Sequence, residues 1–246
     1  MTESVPSPIA VITGVSSGIG LGLTREALSR GWTVLGTGLA APDLGKADRF
    51  HFVPCDLSRQ KEIAPAFKRL LKDTTELDLV VLNAGILGPF GDLHEHSLED
   101  IHRVMQVNVW ANKILLDLFT EWNLTIKQIV GITATELVYT QRGWGGYALS
   151  KSALNTLLAL AAAENDSTHY CAFAPGLVDT AMMDQLCSVP DDPRFPSLET
   201  LRSNRGTSAM PDASEASPAI LDAILSLPKK VKSGSFIDIR SMPKER

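Results

Sequence analysis

The most restrictive feature of the chain is its beginning. Ile9-Ala10-Val11-Ile12-Thr13 runs into Gly14-Val15-Ser16-Ser17-Gly18-Ile19-Gly20, and a helical pattern follows through Leu21, Leu23, Ala27 and Leu28. A short apolar run with β-branched residues, bounded by glycine, reads as a buried strand of a parallel sheet. The glycines then make a tight strand-to-helix turn. Such a turn lets backbone approach a ligand closely, and the helix N-terminus behind it offers free N–H groups to a pyrophosphate. The spacing is G-x3-G-x-G rather than G-x-G-x-x-G, so the usual dinucleotide fingerprint is not matched literally. The strand before the turn and the amphipathic helix after it carry the reading.

The same strand–helix alternation continues. Thr33 to Thr37, Phe50 to Cys55, Leu79 to Leu82, Ile129 to Ile132, Tyr170 to Phe173 and Ser235 to Ile239 read as further strands. Helical patterns lie between them: a stripe of Ile63, Phe67, Leu70 and Leu71, one long helix or two in line from Ser97 to Trp122, and a helix from Tyr147 through Ala161. Alanine and leucine occupy more than one face of that last helix, which predicts burial on several sides. The 246 residues show no repeat and no break in composition, so a single domain over 1–246 is expected. From 181 to 217, prolines, polar residues and short apolar pieces alternate, the pattern of a substrate loop or lid. Met1 to Ser7 is polar with two prolines and is expected to fray.

Composition narrows the function classes. Apolar residues make up 44% of the chain, ample for a sizeable core, and the net charge of −5 has no basic block within it. That argues against a nucleic-acid footprint and an anionic-membrane anchor. Cys55, Cys171 and Cys187 are odd in number and far apart, which suggests a reducing compartment without a disulfide framework, and no spacing resembles a metal site. No apolar run is long enough to span a bilayer and no signal-like leader is present, so a cytoplasmic protein is expected. His94, His96 and His102 read as surface histidines.

The chemistry-bearing stretch is Tyr147-Ala148-Leu149-Ser150-Lys151. Residues four apart share a helix face, so the phenol and the ammonium project the same way. A phenol ordinarily titrates near ~10, and a cation within ~4–6 Å favours the phenolate. The pair is thus a candidate proton donor or acceptor near neutrality, although a half-buried Tyr beside a solvated Lys has the same spacing. Asn108 lies among apolar neighbours and must find partners; it is either a satisfied structural amide or part of a kinked helix serving a water relay. Asp56 follows the third strand, where it suits an adenine amine or caps the next helix. At the end of the second strand, where an acid would hold a ribose 2′-hydroxyl, stand Gly38 and Leu39. Neither is acidic, which gives a slight preference for NADP(H) over NAD(H). Neither is basic; Lys46 and Arg49 in the next loop are either phosphate ligands or solvated cations.

Taken together these pieces resemble the short-chain dehydrogenase/reductases over nearly the whole chain. The matching pieces are Thr13-Gly14-x3-Gly18-Ile19-Gly20, Asp56, Asn83-Ala84-Gly85, Asn108, Tyr147-x3-Lys151 and Pro175-Gly176-x3-Thr180. The runs from Asn83 to Leu93 and from Gly143 to Tyr147 look closest to the sepiapterin- and benzil-reductase-like branch. The resemblance implies a Rossmann-type, doubly wound α/β domain with a mostly parallel seven-stranded sheet. It also implies NAD(P)-dependent hydride transfer between the nicotinamide and a small carbonyl or alcohol substrate, in a homodimer or homotetramer. By the same resemblance Gly14, Ser16, Ser17, Gly18, Ile19, Gly20, Asp56, Leu57, Asn83, Ala84, Gly85, Pro175, Gly176, Val178 and Thr180 would line the coenzyme site together with Tyr147 and Lys151. Tyr147 would pass the proton, Lys151 would hold the nicotinamide ribose and lower the phenol's pKa, and Asn108 would anchor a water.

One position departs from the family pattern. The serine about thirteen residues before the Tyr, which hydrogen-bonds the substrate oxygen in the family, is Ala134 here. Loss of such a donor typically costs ~10²–10³ in rate. Thr133 and Thr135 flank it, and strand alternation would turn both to the opposite face. Either one of them substitutes, or the enzyme is weak. The alternative is a catalytically impaired member kept as a nucleotide-binding sensor or partner subunit.

Overall fold

The period-two alternation of the apolar runs sorts their side chains onto two sides of one sheet. The computed structural model describes residues 7–135 and 140–242. Its strands are β1 (Ile9–Thr13), β2 (Thr33–Gly38), β3 (Phe50–Pro54), β4 (Glu76–Leu77), β5 (Leu79–Leu82), β6 (Thr125–Ile126), β7 (Gln128–Ile132), β8 (His169–Ala174) and β9 (Ser235–Asp238). Seven of these form a sheet in the order β3-β2-β1-β5-β7-β8-β9, and every pairing in it is parallel. β4 and β6 make a separate two-residue ladder that the sequence reading did not foresee. On one face Val11, Leu35, Val80 and Ile129 meet helices α2 (Gln60–Leu71), α4 (Ala111–Glu121) and α5 (Gly145–Glu164), through Phe67, Leu115, Phe119, Leu154 and Leu158. On the other, Ala10, Ile12, Val34, Val81 and Val130 meet α1 (Gly18–Ser29) and α8 (Ala213–Lys230), through Leu23, Ala27, Ile220, Ile224 and Leu227. A sheet covered on both faces by helices is the doubly wound architecture, and the strand order reverses between β1 and β5. Ligands of such folds bind at the carboxyl ends of the strands beside that reversal.

Three local differences bear on the site. The predicted helix from Ser97 to Trp122 is broken into α3 (Leu98–Met105), a π-helical turn at Gln106–Trp110 and α4. The turn contains Asn108, and such turns often mark functional sites because the extra residue re-aims side chains. The 181–217 segment is largely helical: α6 (Ala181–Cys187), α7 (Pro196–Asn204) and the start of α8 lie within it. Pro196 sits at the first position of α7, where its missing N–H costs nothing. The helix α5 leaves Leu149 and Leu160 about half exposed, at 49% and 57%, so within one chain it is not buried all round. Of the segment expected to fray, only Ser7 is described, and its hydroxyl lies 3.1 Å from that of Thr33. Among the described residues no helix is long and apolar enough to cross a membrane.

Candidate functional site

At the carboxyl ends of the strands lies a cleft of about 860 Å³. Its floor is the glycine turn. Gly14 and Gly18 have φ of +73° and +55°, values side chains resist. The N–H groups of Gly14 and Val15 both donate to the Thr37 carbonyl, at 2.7 and 3.1 Å, tying the turn to β2. Behind it, a Cβ on Gly20 would lie 2.2 Å from the Gly14 carbonyl oxygen. The close approach of helix to strand therefore depends on that residue having no side chain. Ser17 stands at the N-cap of α1 without a side-chain cap bond, and the first turn carries no acid. Uncapped helix N–H groups with a positive dipole end and no local anion fit a pyrophosphate.

A second layer fixes this floor to β5. Thr13, fully buried, accepts the backbone N–H groups of Asn83 and Ala84 at 2.9 and 3.0 Å. The Asn83 amide donates to the carbonyl oxygens of Thr13 at 2.9 Å and Gly14 at 3.3 Å. The sequence placed Thr13 at the end of the first strand and at the head of the glycine motif but gave it no role of its own; its signal was a hydroxyl at the end of an apolar run. Asp56 accepts from the N–H and hydroxyl of Ser58, at 2.9 and 2.7 Å, and the hydroxyl bond first of all holds its carboxyl below the usual range. It therefore shapes the turn that leads into α2 while lining the cleft beside Leu57.

The reactive end is built from α5, the π-turn and the end of β7. Lys151 is 4% exposed, and its ammonium donates to the Ile132 carbonyl at 2.8 Å. It lies 5.6 Å from the centroid of the buried Tyr147 ring. Burial lowers the Lys151 pKa to about 8, because an ammonium out of water is penalised. Asn108, fully buried, uses both ends of its amide: Oδ1 accepts from the Ile86 N–H at 2.8 Å, and Nδ2 donates to the Ile86 carbonyl and the Ser150 hydroxyl, each at 2.9 Å. Ser150 in turn donates to the Tyr147 carbonyl at 2.7 Å. The π-turn amide thus joins the loop after β5 to the Tyr147 turn of α5. Sequence reasoning passed over Ser150, although a hydroxyl on an apolar helix between Tyr147 and Lys151 was a signal. Glycine at 85 keeps this group tight: a Cβ there would come within 3.2 Å of Asn108 Oδ1 and 3.4 Å of Lys151 Nζ.

Of the residues singled out in the sequence, Gly14, Ser16, Ser17, Gly18, Ile19, Asp56, Leu57, Asn83, Ala84, Gly85, Thr133, Thr135, Tyr147, Lys151, Pro175, Gly176, Val178 and Thr180 all line this one cleft. Gly20 and Asn108 stand behind the wall and act through packing and hydrogen bonds. Thr133, Ala134 and Thr135 are all on the wall, since β7 ends at Ile132 and strand alternation no longer governs them. The Thr133 hydroxyl points to the Lys151 carbonyl at 3.4 Å, while Ala134 packs in one apolar cluster with Tyr147 and Trp144. Arg49 is out of reach: it donates to the Gly31 carbonyl at 2.6 Å, at the amino ends of the strands. Lys46 is not on the wall either. His96 departs from the surface expectation, for both its ring nitrogens are buried and its ring closes over Gly145.

Above Tyr147 the wall is apolar. Phe90 packs edge-on against Trp144 and Phe195, with centroids 5.4 and 5.1 Å apart. Met182, Met183 and Val189 of the 181–217 segment line the same end. That segment is clasped to the body by charge. Asp92, itself buried, takes Arg194 at 2.8 Å and is also paired with Arg142. The cleft therefore offers a polar, glycine-lined half and an apolar, aromatic half that meet at Tyr147 and Lys151.

Comparison with known proteins identifies the family. The sequence model described as short chain dehydrogenase matches residues 8–189. The chain is 27% identical over 243 residues to the benzil reductase ((S)-benzoin forming) of Bacillus subtilis, covering 94% of this chain and 97% of that one. It is 27% identical over 195 residues to the benzil reductase ((S)-benzoin forming) IRC24 of Saccharomyces cerevisiae, covering 72% and 74%. A short chain dehydrogenase/reductase of the same yeast superposes with a TM-score of 0.81 at 22% identity, over 96% of this chain and 97% of that one, which speaks to the fold. These relatives bear out the resemblance, including its benzil-reductase-like side, and do not favour the impaired-member alternative. The chain belongs to the short-chain dehydrogenase family, a group of oxidoreductases whose membership implies binding of NAD(P).

Proposed function

We propose that this protein is an NAD(P)-dependent reductase of small carbonyl compounds, with aryl ketones and vicinal diketones such as benzil as its substrate class. The observation that carries the reading is a buried ammonium, Lys151, set 5.6 Å from the Tyr147 ring in the same cleft as an uncapped helix N-terminus. When bound, the nicotinamide would supply the hydride. Tyr147 holds the proton at its phenol oxygen and passes it to the carbonyl oxygen of the substrate. Lys151, protonated at neutrality with its pKa near 8, favours the phenolate that remains. Asn108 and Ser150 position the Tyr147 turn of α5. The Gly14–Gly20 turn, with Asn83 to Gly85 and Pro175 to Thr180, holds the dinucleotide. Thr135, on the cleft wall beside Ala134, is the donor we assign to the substrate oxygen in place of the missing serine.

NADP(H) is the preferred coenzyme. No acid stands at the end of β2, and a Cβ on Gly38 would lie 2.5 Å from Ser16 Oγ, which is itself bonded to the Ala40 carbonyl. A ribose-binding carboxylate at position 38 is thus sterically opposed. The half-exposed Trp110 in the π-turn and Leu149 and Leu160 on α5 support two-fold association through these helices. The test is coenzyme oxidation by the purified chain with benzil, comparing NADPH with NADH. Turnover with NADPH that is abolished by Tyr147→Phe is expected; tight NADPH binding with no turnover on any diketone or aryl ketone would overturn the reading.

A further inference from the structure

Behind the wall of the cleft, one carboxylate ties together stretches that are far apart in the chain. Asp92 does not line the cleft, and its side chain is only 8% exposed. Arg142 grips it with two bonds, Nε to Oδ1 and Nη2 to Oδ2, and Arg194 Nη1 donates to Oδ2 at 2.8 Å. These partners lie 50 and 102 residues further along the chain. Arg194 also meets Glu95 at 3.2 Å and Asp192 at 2.8 Å. A buried carboxylate is a poor space filler, since an apolar side chain would pack there without losing hydration. What the charge adds is direction: it fixes where both guanidinium groups stand.

Both ties end on the aromatic half of the cleft. The Arg194 guanidinium lies 4.9 Å over the ring of Phe195, the N-cap of α7. From Phe195 ring contacts run through Phe90 and Trp144 to Tyr147, the last pair with centroids 6.0 Å apart. Arg142 holds the residues that lead into α5. There the Gly91 N–H donates to the Gly143 carbonyl at 3.0 Å, and a Cβ on Gly143, whose φ is +104°, would run into the Phe90 ring. The short turn that Asp92 opens, Leu93–Glu95, ends at His96, whose ring closes over Gly145, the first residue of α5. Thr200 and Leu201 of α7, and Trp144 and Tyr147 at the entry to α5, line the same cleft and take their spacing from this carboxylate. We infer that Asp92 is a positioning residue for substrate size: from behind the wall it fixes the width of the aromatic half, so that seating of ring-bearing diketones beside Tyr147 depends on it while that of small ones does not. This rests on the carbonyl-reductase reading above and adds what sets its substrate range.

The experiment compares benzil with 2,3-butanedione, which carries the same vicinal diketone on methyl groups, in wild type, Asp92→Asn, Arg194→Gln and the double variant. Kinetics at saturating NADPH runs beside calorimetric binding of benzil to the NADP⁺ complex and hydrogen exchange of that complex. Asp92→Asn keeps the shape and removes the charge. It should raise KM and Kd for benzil about 10-fold, the lower end for a hydrogen bond to a charged group, with butanedione KM and the Kd of NADPH within about two-fold. Arg194→Gln, at a side chain 40% exposed, should shift benzil in the same sense and carries the size comparison alone if Asp92→Asn folds poorly. The double variant should be no worse than Asp92→Asn, because both changes open one clasp. Amide exchange should quicken about 10-fold across 181–204 and hold in β1 and β5. An equal rise for both diketones, no rise for benzil, additive losses in the double variant, or faster exchange in β1 and β5 would overturn the assignment. Should wild type bind benzil in an Asp92-dependent way yet reduce neither diketone, the positioning role stands and the reductase reading falls. Should it reduce both with a size preference indifferent to Asp92, the reverse holds; should it neither bind nor reduce benzil, both fall.

Discussion

The Lys151 ammonium makes a quantitative demand on stability. Its pKa falls from 10.5 to about 8 in the fold because the group is out of water. The unfolded chain therefore binds this proton more tightly than the folded one, and stability must rise with pH across the interval between the two values. Below about pH 8 both states are protonated and the full cost of the buried charge is present; above the unfolded value both are neutral and it is gone. At 1.36 kcal/mol per unit the total is about 3 kcal/mol, of which about 2 kcal/mol should appear between pH 7 and 9.5. Every other titrating group contributes too, so the measurement is a difference. Urea unfolding of wild type and Lys151→Met is followed at several pH values, and the gap between their free energies is plotted. The Ile132 carbonyl loses its donor in the variant, which offsets the plot without tilting it. Wild type should gain on the variant by about 2 kcal/mol over that interval. A gap flat to within about 0.5 kcal/mol would mean that Lys151 keeps its ordinary pKa and that the pocket is wetter than its burial implies.

Other perturbations test the remaining parts of the site. Thr135→Val should lower benzil turnover about 100-fold or more by removing the donor assigned to the substrate oxygen, while Ala134→Ser should leave wild-type turnover within about three-fold; a rise of about 10-fold or more in Ala134→Ser would show that the donor's place was empty. Leu39→Asp, at an exposed position on the cleft rim, should weaken NADPH relative to NADH by at least about 10-fold through repulsion of the 2′-phosphate, measured by fluorescence titration of both coenzymes. Gly20→Ala drives a methyl group onto the Gly14 carbonyl and should cost about 2 kcal/mol or more in urea unfolding. An unaffected midpoint in that variant would mean the glycine turn yields more easily than its contacts imply.

What the sequence discloses depends on how local the physics is. The central strands were legible because parallel strands buried on both faces leave near-continuous apolar runs, and Ile9–Thr13 and Leu79–Leu82 were read to the residue; the edge strands β3 and β9 are only partly buried and mix polar with apolar residues. The two-residue ladder of β4 and β6 carries no such pattern. The 181–217 segment was read as a substrate loop or lid because prolines, polar residues and short apolar pieces alternate in it. Pro196 opens a helix instead, and the segment is ordered by apolar contacts of Leu186, Phe195, Leu198 and Leu201 that no short window reveals. The Tyr147 and Lys151 spacing was plain, yet the depth of Lys151 was not, since its burial depends on Gly85, Ile132 and Asn108 brought in from other elements.

Asn108 makes the limit concrete. From sequence it was an amide that had to find partners in an apolar stretch, with a structural and a relay role both open. In the fold its side chain is wholly committed to Ile86 and Ser150, and its backbone carbonyl accepts from the Asn112 amide at 2.8 Å. The π-turn is what permits this, because the extra residue swings Asn108 toward α5 and away from solvent. A residue that would have been assigned to chemistry by its motif therefore has a second job that any substitution removes at the same time: it fixes where the Tyr147 turn stands relative to the loop after β5. Loss of activity in an Asn108 variant would therefore not by itself identify a proton relay. The separation has to come from a readout that geometry alone leaves unmoved, such as the pH dependence of turnover at saturating coenzyme.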